Sequence, residues 1–253
     1  VAVRCETGEV VWRRDDADAA TALPSTLTVG EQRVVFQNPR ELFCLDQATG
    51  EGVWRVTRPL IVNRLEWGAP TIVIANGMVL AADRTAEEEA DPTASVVWSV
   101  DSVGTSAHPG EVYAYSLADG QQRWVRPSQE TYHSQIDVLV VNGEVWTGPM
   151  TKRGEDGITE IFDVQTGAVS RTRPSDQETF DPGMGHHRCY RNKATTSYII
   201  LGRSGAEFLD AQTGTIRENQ WLRGACAYGV MPANGLLYTP PHSCACFSQA
   251  MIN

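Results

Sequence analysis

Apolar positions along this chain fall in short runs separated by turn residues, the pattern of strands rather than of helices. Thr71-Ile72-Val73-Ile74, Asn76-Gly77 and Met78-Val79-Leu80-Ala81 follow one another, and Val138-Leu139-Val140-Val141 is followed by Asn142-Gly143. Asn234-Gly235 again precedes an apolar run, Leu236-Leu237-Tyr238. Asn-Gly between apolar runs is the strongest short signal for a hairpin, because both central residues of the favoured turn need a positive φ. The runs Glu41-Leu42-Phe43-Cys44-Leu45, Val112-Tyr113-Ala114-Tyr115 and Glu207-Phe208-Leu209 each lead into a second kind of turn. The pattern predicts an all-β protein with no helix of consequence.

That second turn repeats. Asp46-Gln47-Ala48-Thr49-Gly50, Asp163-Val164-Gln165-Thr166-Gly167 and Asp210-Ala211-Gln212-Thr213-Gly214 share one form, and Cys5-Glu6-Thr7-Gly8 and Leu117-Ala118-Asp119-Gly120 are variants of it. In three of the five, a Trp stands four residues past the glycine: Trp12, Trp54 and Trp124. The turn glycines follow one another at intervals of 42, 70, 47 and 47 residues. Self-similarity at about 40–50 residues is the signature of four-stranded propeller blades. The expected fold is a β-propeller of four-stranded antiparallel blades, about five in this chain, forming a single domain over residues 1–253. The long interval is assigned to a surface insertion at about 83–110, with Val96, Val97 and Trp98 folding part of it back onto the body. The three tryptophans are expected to fill the wedges between neighbouring blades.

The chain opens inside a blade, with an outer hairpin, and closes with an inner hairpin followed by the start of an outer one. Two arrangements fit: the terminal strands complete one shared blade, or the chain is an excerpt of a larger propeller. The lack of an initiator Met and of a signal peptide favours a mature form or an excerpt.

Charge and composition narrow the partners. The formal net charge is −10, the opposite of what phosphate backbones attract, so nucleic acid is not expected. No run of about 18 apolar residues is present, so no membrane span is expected. No nucleotide-binding, serine-hydrolase, zincin or EF-hand pattern appears.

Two stretches, Phe43 to Trp54 and Val112 to Trp124, resemble the repeats of quinoprotein-like propellers. That superfamily includes the PQQ-dependent alcohol dehydrogenases and the non-enzymatic outer-membrane assembly lipoprotein of the BamB type. The stretch from Gly185 to Cys246 is similar to PQQ-binding-like propeller proteins of planctomycete-type bacteria. The resemblance implies the ring of blades and a periplasmic or secreted location. A true PQQ enzyme of the family also has a calcium or lanthanide ion held by acidic and amide side chains, a catalytic Asp and a disulfide between adjacent cysteines. This sequence has no adjacent cysteines, so PQQ is not the expected cofactor.

Candidate chemistry concentrates in the last quarter. Three of the five histidines and four of the six cysteines lie between residues 186 and 246. Gly185-His186-His187-Arg188-Cys189-Tyr190 and Arg223-Gly224-Ala225-Cys226-Ala227-Tyr228 each precede an inner hairpin and are expected to begin innermost strands, while His242-Ser243-Cys244-Ala245-Cys246 follows one. The connections they occupy open on one end of the ring. Imidazole and thiolate suit zinc and copper, whereas calcium and magnesium prefer oxygen. His186, His187, Cys189, Cys226, His242, Cys244 and Cys246 are therefore candidate ligands of copper or zinc. Disulfides, such as Cys189 with Cys226, and redox-active thiols are the competing readings. Cys5 and Cys44 are expected as core packing or as a disulfide. Arg188, Arg191, Lys193 and Arg223 are candidates for an anion or carboxylate, and Tyr190 and Tyr228, in matching places of adjacent blades one and two residues past a cysteine, for lining the channel. His108 and His133 fall in loops.

Fold does not decide function. The reading that fits best is an extracytoplasmic propeller acting as a binding module for a protein or small-molecule ligand, with the Cys/His set on its functional face. A metal-dependent or PQQ-dependent oxidoreductase using that face is the alternative.

Overall fold

The computed structural model describes residues 1–58, 60, 63–65, 69–84, 97–99, 109–129, 135–148, 156–177, 190–202, 205–219, 222, 224–225 and 228–240, with 63–65 and 97–99 as backbone. An outer hairpin comes first, β1 (Ala2–Val3) and β2 (Val10–Trp12), followed by a one-turn helix, α1 (Ala17–Ala20). The first complete blade is β3 (Thr28–Gly30), β4 (Arg33–Gln37), β5 (Glu41–Asp46) and β6 (Gly52–Thr57). After β7 (Asn63–Leu65), the second blade comprises β8 (Thr71–Ala75) and β9 (Met78–Arg84), then, beyond β10 (Val97–Ser99), β11 (Pro109–Ser116) and β12 (Gln122–Gln129). The third is β13 (Leu139–Val141), β14 (Glu144–Trp146), β15 (Glu160–Asp163) and β16 (Val169–Thr172). The fourth is β17 (Lys193–Ala194), β18 (Tyr198–Leu201), β19 (Glu207–Asp210) and β20 (Ile216–Arg217), and an inner hairpin closes the series, β21 (Met231–Ala233) and β22 (Leu236–Tyr238).

Within every complete blade the strands pair antiparallel in chain order. Innermost strands meet innermost strands, β3 with β8, β13 with β17 and β17 with β21, so the blades are arranged around a common axis. This is a β-propeller. The terminal hairpins remain separate two-stranded sheets among the described residues, with no ladder joining them into one blade.

The insertion joins the second and third strands of the second blade. Asp83 and Gly110, set at its ends by the sequence, lie instead inside the β9–β11 ladder, Asp83 opposite Glu111 and Gly110 opposite Arg84. Its β10 runs parallel to β7, with Val97 opposite Asn63 and Ser99 opposite Leu65.

The core lies between blades, as expected when each sheet buries both faces against its neighbours. Val35, Leu42, Cys44, Val79, Ala81 and Tyr115 pack the first blade against the second. Leu80, Val112, Trp124, Val145, Phe162 and Val164 join the second to the third, and Trp146, Ile161, Ile199 and Leu209 the third to the fourth.

Turn chemistry explains why the outer hairpins recur. Asp46 Oδ1 accepts the N–H groups of Ala48 and Thr49 at 2.9 and 3.0 Å, and Asp210 Oδ1 those of Gln212 and Thr213 at 2.8 Å each. Asp163 repeats the pattern and also accepts the Thr166 hydroxyl at 2.8 Å. These bonds hold all three carboxyls below the ordinary range, through the Thr49 N–H, the Thr213 N–H and the Thr166 hydroxyl respectively.

The turn glycines have a second duty. Trp12 Nε1 donates to Gln47 O at 2.9 Å, Trp54 Nε1 to Leu117 O at 2.8 Å, and Trp124 Nε1 to Val164 O at 3.0 Å. Each indole thus clamps the outer turn of the next blade. A Cβ on Gly50, Gly120 or Gly167 would lie 2.6–2.8 Å from that ring. Glycine there supplies both a positive φ and the space the neighbouring indole occupies. The expected wedge role of the tryptophans therefore takes a directed form, a ring on a glycine and an N–H on a carbonyl.

Candidate functional site

The two ends of the strands make two different faces. At one end every described connection is a tight turn: β3 to β4, β8 to β9, β13 to β14, β17 to β18 and β21 to β22 on the inside, and the Thr-Gly turns on the outside. At the other end lie the links between successive blades and between the second and third strands of each. There β9 and β11 are separated by residues 85–108, β16 and β17 by 173–192, and β20 and β21 by 218–230.

The tight-turn face is cross-linked from blade to blade. Besides the indole clamps, Glu31 Oε2 accepts Gly77 N–H at 2.8 Å, and Asn142 Nδ2 donates to Thr196 O at 3.3 Å. Where the third blade lacks the Trp, Arg171 takes its place. Its Nη2 donates to Ala211 O, its Nη1 to Gln212 O at 2.7 Å, and its guanidinium lies 5.0 Å above the Trp146 ring. Two residues further along, Arg126 Nε donates to Gly167 O at 2.7 Å and Arg173 Nε to Gly214 O at 3.2 Å.

At the long-connection face, β17 begins at Lys193 and β21 at Met231. The segments expected to open those strands therefore precede them and belong to the connections. His186, His187, Arg188, Cys189, Arg223, Cys226, His242, Cys244 and Cys246 lie outside the described residues, as do His108 and His133. Among the described residues no three His, Cys, Asp or Glu side chains converge as a metal site, and no helix is long and apolar enough to cross a membrane.

The two tyrosines part company. Tyr190 is 3% exposed, with its ring wedged where a Cβ on Gly202 or Gly229 would stand, 2.7 and 2.8 Å away. Tyr228 is 81% exposed. One is packing and the other surface, so they do not line a channel together. Of the two described cysteines, both are free thiols, not a disulfide. Cys44 is core packing, and burial pushes its thiol up to about 11. Cys5 is exposed and fits neither expectation.

What the described residues do assemble at this face is a corner between the third and fourth blades. Asp137 stands two residues before β13 and is 8% exposed. Its Oδ2 accepts Asn192 N–H at 3.1 Å, and its carbonyl accepts the Thr147 hydroxyl at 2.8 Å. Arg191, two residues before β17, donates Nε to Gln135 Oε1 at 2.9 Å. Burial raises Asp137 to about 6, against the opposing pull of Arg191. Burial also lowers Arg191 and Lys193, while Asp137 pulls each back up. Thr147 bonds Ser128 at 2.7 Å, at the wall of a groove of about 270 Å³ between β12 and β14–β15. The sequence offers Arg191 and Lys193 as anion candidates but does not mark Asp137 beside them, because Asp137 and Arg191 come together only through the adjacency of two blades.

The repeated ladders and their shared axis define the chain as a β-propeller. Residues 1–83 match the PQQ_2 family, described as outer membrane protein assembly factor BamB. No curated protein matches the chain. Among solved structures it is similar to BamB from Moraxella catarrhalis, with 12% identity over 79% of this chain and 51% of that one and a TM-score of 0.41. It is also similar to quinohemoprotein alcohol dehydrogenase from Comamonas testosteroni, with 13% identity over 85% and 39% and a TM-score of 0.47. A third is the Pan2 WD40 domain of Neurospora crassa, with 8% identity over 77% and 50% and a TM-score of 0.41. The chain thus spans about half or less of the length of each.

Proposed function

We propose that this chain is a binding propeller acting outside the cytoplasm, that its docking surface is the long-connection face, and that copper or zinc is held there by members of the Cys/His set. The carrying observation is the asymmetry of the two faces: one is closed by short turns and blade-to-blade clamps, and the other gathers the long connections. Functional groups concentrate on such connections when a rigid scaffold positions them. The extracytoplasmic reading, and a protein as the partner, draw on the match of residues 1–83 to an outer-membrane assembly factor family.

The proposed ligands are His186, His187, Cys189, Cys226, His242, Cys244 and Cys246. They stand in connections that leave from the same end of the fourth blade and the following hairpin. Arg188 and Arg223 belong to the same connections by sequence, and an anion is their proposed ligand.

Elemental analysis of the native chain, paired with a thiol count, tests the metal. About one copper or zinc per chain is expected, with retention falling about tenfold or more in Cys189→Ser and Cys244→Ser and unchanged in Cys5→Ser, on the opposite face. Metal that survives both substitutions, or a chain without metal whose four other cysteines are all oxidised, overturns this part.

A further inference from the structure

The corner formed by Asp137, Arg191, Asn192 and Lys193 has hydrogen-bonding capacity that the described residues leave unused. Arg191 spends Nε on Gln135, and its two terminal nitrogens find no partner among the described residues. Lys193 is half-buried with no hydrogen bond or ion pair among them. On the acceptor side, Asp137 uses Oδ2 on Asn192 N–H, and Asn192 Oδ1 is a buried oxygen with no partner. The Arg191 and Lys193 donors and the Asn192 oxygen therefore lack a hydrogen-bond partner at one junction of blades, beside the Asp137 carboxylate.

Three features mark this as a site rather than as packing. Buried polar atoms are normally satisfied, and Asn192 Oδ1 is not. The formal charge of the corner is +1 with Asp137 ionised, inside a chain whose formal net charge is −10. Finally, the residues two places before the other innermost strands are Thr26, Ala69 and Gly229. Only the third and fourth blades place charge there, so the repeat alone does not require it.

The chemistry of the open atoms is complementary to one kind of group. A guanidinium with one free edge of two parallel N–H groups matches a carboxylate in the bidentate mode, and an ammonium adds a further contact. The carboxylate and amide oxygens beside them call for a donor close to that anion. We propose that this corner binds a carboxylate carrying a hydrogen-bond donor on its α-carbon, with the anion on Arg191 and Lys193 and the donor on Asp137 and Asn192 Oδ1. A free α-hydroxy or α-amino acid has this chemistry, and so does a peptide C-terminus, whose last amide N–H is the donor. The inference rests on the long-connection face being the binding face and uses none of the Cys/His residues.

Titration calorimetry with L-lactate, L-alanine, N-acetyl-L-alanine and propionate tests it on the full chain. At least one donor-bearing acid is expected to bind about tenfold or more tightly than propionate, since an unmatched buried acceptor costs at least that much. Lys193→Met and Arg191→Gln are each expected to weaken it about tenfold or more. Asp137→Asn is expected to narrow the preference over propionate. Tighter binding of N-acetyl-L-alanine identifies a peptide terminus as the source, and tighter binding of lactate or alanine a free acid. Lys193→Met keeps the test sound if Arg191→Gln fails to fold, because Lys193 makes no bond to lose. Binding of none of the four, equal binding of propionate, or unchanged binding by a folded Lys193→Met overturns the proposal. A chain that loses its metal site yet binds these acids, or the reverse, separates this failure from that of the metal.

Discussion

The tight-turn face and the long-connection face are the two ends of the same strands, and they are held by different means. On the first, each contact is local or reaches one blade away: an Asp caps its own turn, a Trp lies on the next glycine, and Arg171 substitutes where the Trp is missing. On the second, Asp137 meets residues more than 50 positions away, Arg191 and Asn192, and polar atoms stay open. A face cross-linked from turn to turn resists change. One with unmatched donors and acceptors is arranged for something else to complete it.

The comparison can be broken most sharply at the clamps. Trp124→Ala should cost about 3–5 kcal/mol, from the lost ring and the cavity between the second and third blades, read by urea unfolding. Gly167→Ala should cost about 3 kcal/mol, because a Cβ there meets the Trp124 ring at 2.6 Å as well as a φ of +65°. Gly8→Ala has a similar φ, +75°, but nothing within 4 Å, and should cost only about 1 kcal/mol. Equal costs for the two glycines would mean that φ alone explains them and that the indole clamp is incidental.

On the other face the readout is pH. Asp137 is raised above its unfolded value, to about 6, so the folded chain binds the extra proton. Its ionised form destabilises the fold above pH 6, and stability from this group grows as pH falls from about 6 to about 4, by on the order of 3 kcal/mol. Asp137→Asn should remove that gain between pH 4 and 6, measured by denaturant midpoints across the range. The capped aspartates of the turn face act in the opposite sense and lose their contribution only below about pH 4.

The smallest expected effect on stability comes from the thiols, though their reactivity differs widely. Cys5 should be alkylated by iodoacetamide in the folded chain about 100-fold faster than Cys44, whose thiol is buried and shifted to about 11. Comparable rates, followed by peptide mass spectrometry, would place the first blade's core open to solvent.

What the sequence made legible follows the same division. Asn76-Gly77, Asn142-Gly143 and Asn234-Gly235 all adopt the paired positive φ values their hairpins need, and the Asp-to-Gly turns sit where the repeat put them. Two inner hairpins escaped notice because their turns lack that chemistry. Glu31 and Gln32 hold φ of 48° and 62° without Asn or Gly, and Thr195 builds its turn by accepting Ser197 and Tyr198 N–H with its hydroxyl. Arg171 went unread because a guanidinium replaces an indole by geometry, not by residue type. Of the Asp137 corner only Arg191 and Lys193 were legible, as anion candidates, since no local spacing encodes the meeting of two blades. Tyr190 and Tyr228 were matched by their places in adjacent blades, but one is buried and the other exposed.

The division of labour between the faces is tested most directly by placing a photo-crosslinking amino acid at exposed positions of each in its native cells. Arg40 and Gln177 report the long-connection end, and Gln47 and Gln212 the tight-turn end. Discrete adducts from the first pair alone are predicted. Adducts of the same partner from Gln47 or Gln212, with none from Arg40 or Gln177, would contradict the account and make the clamped face the binding surface.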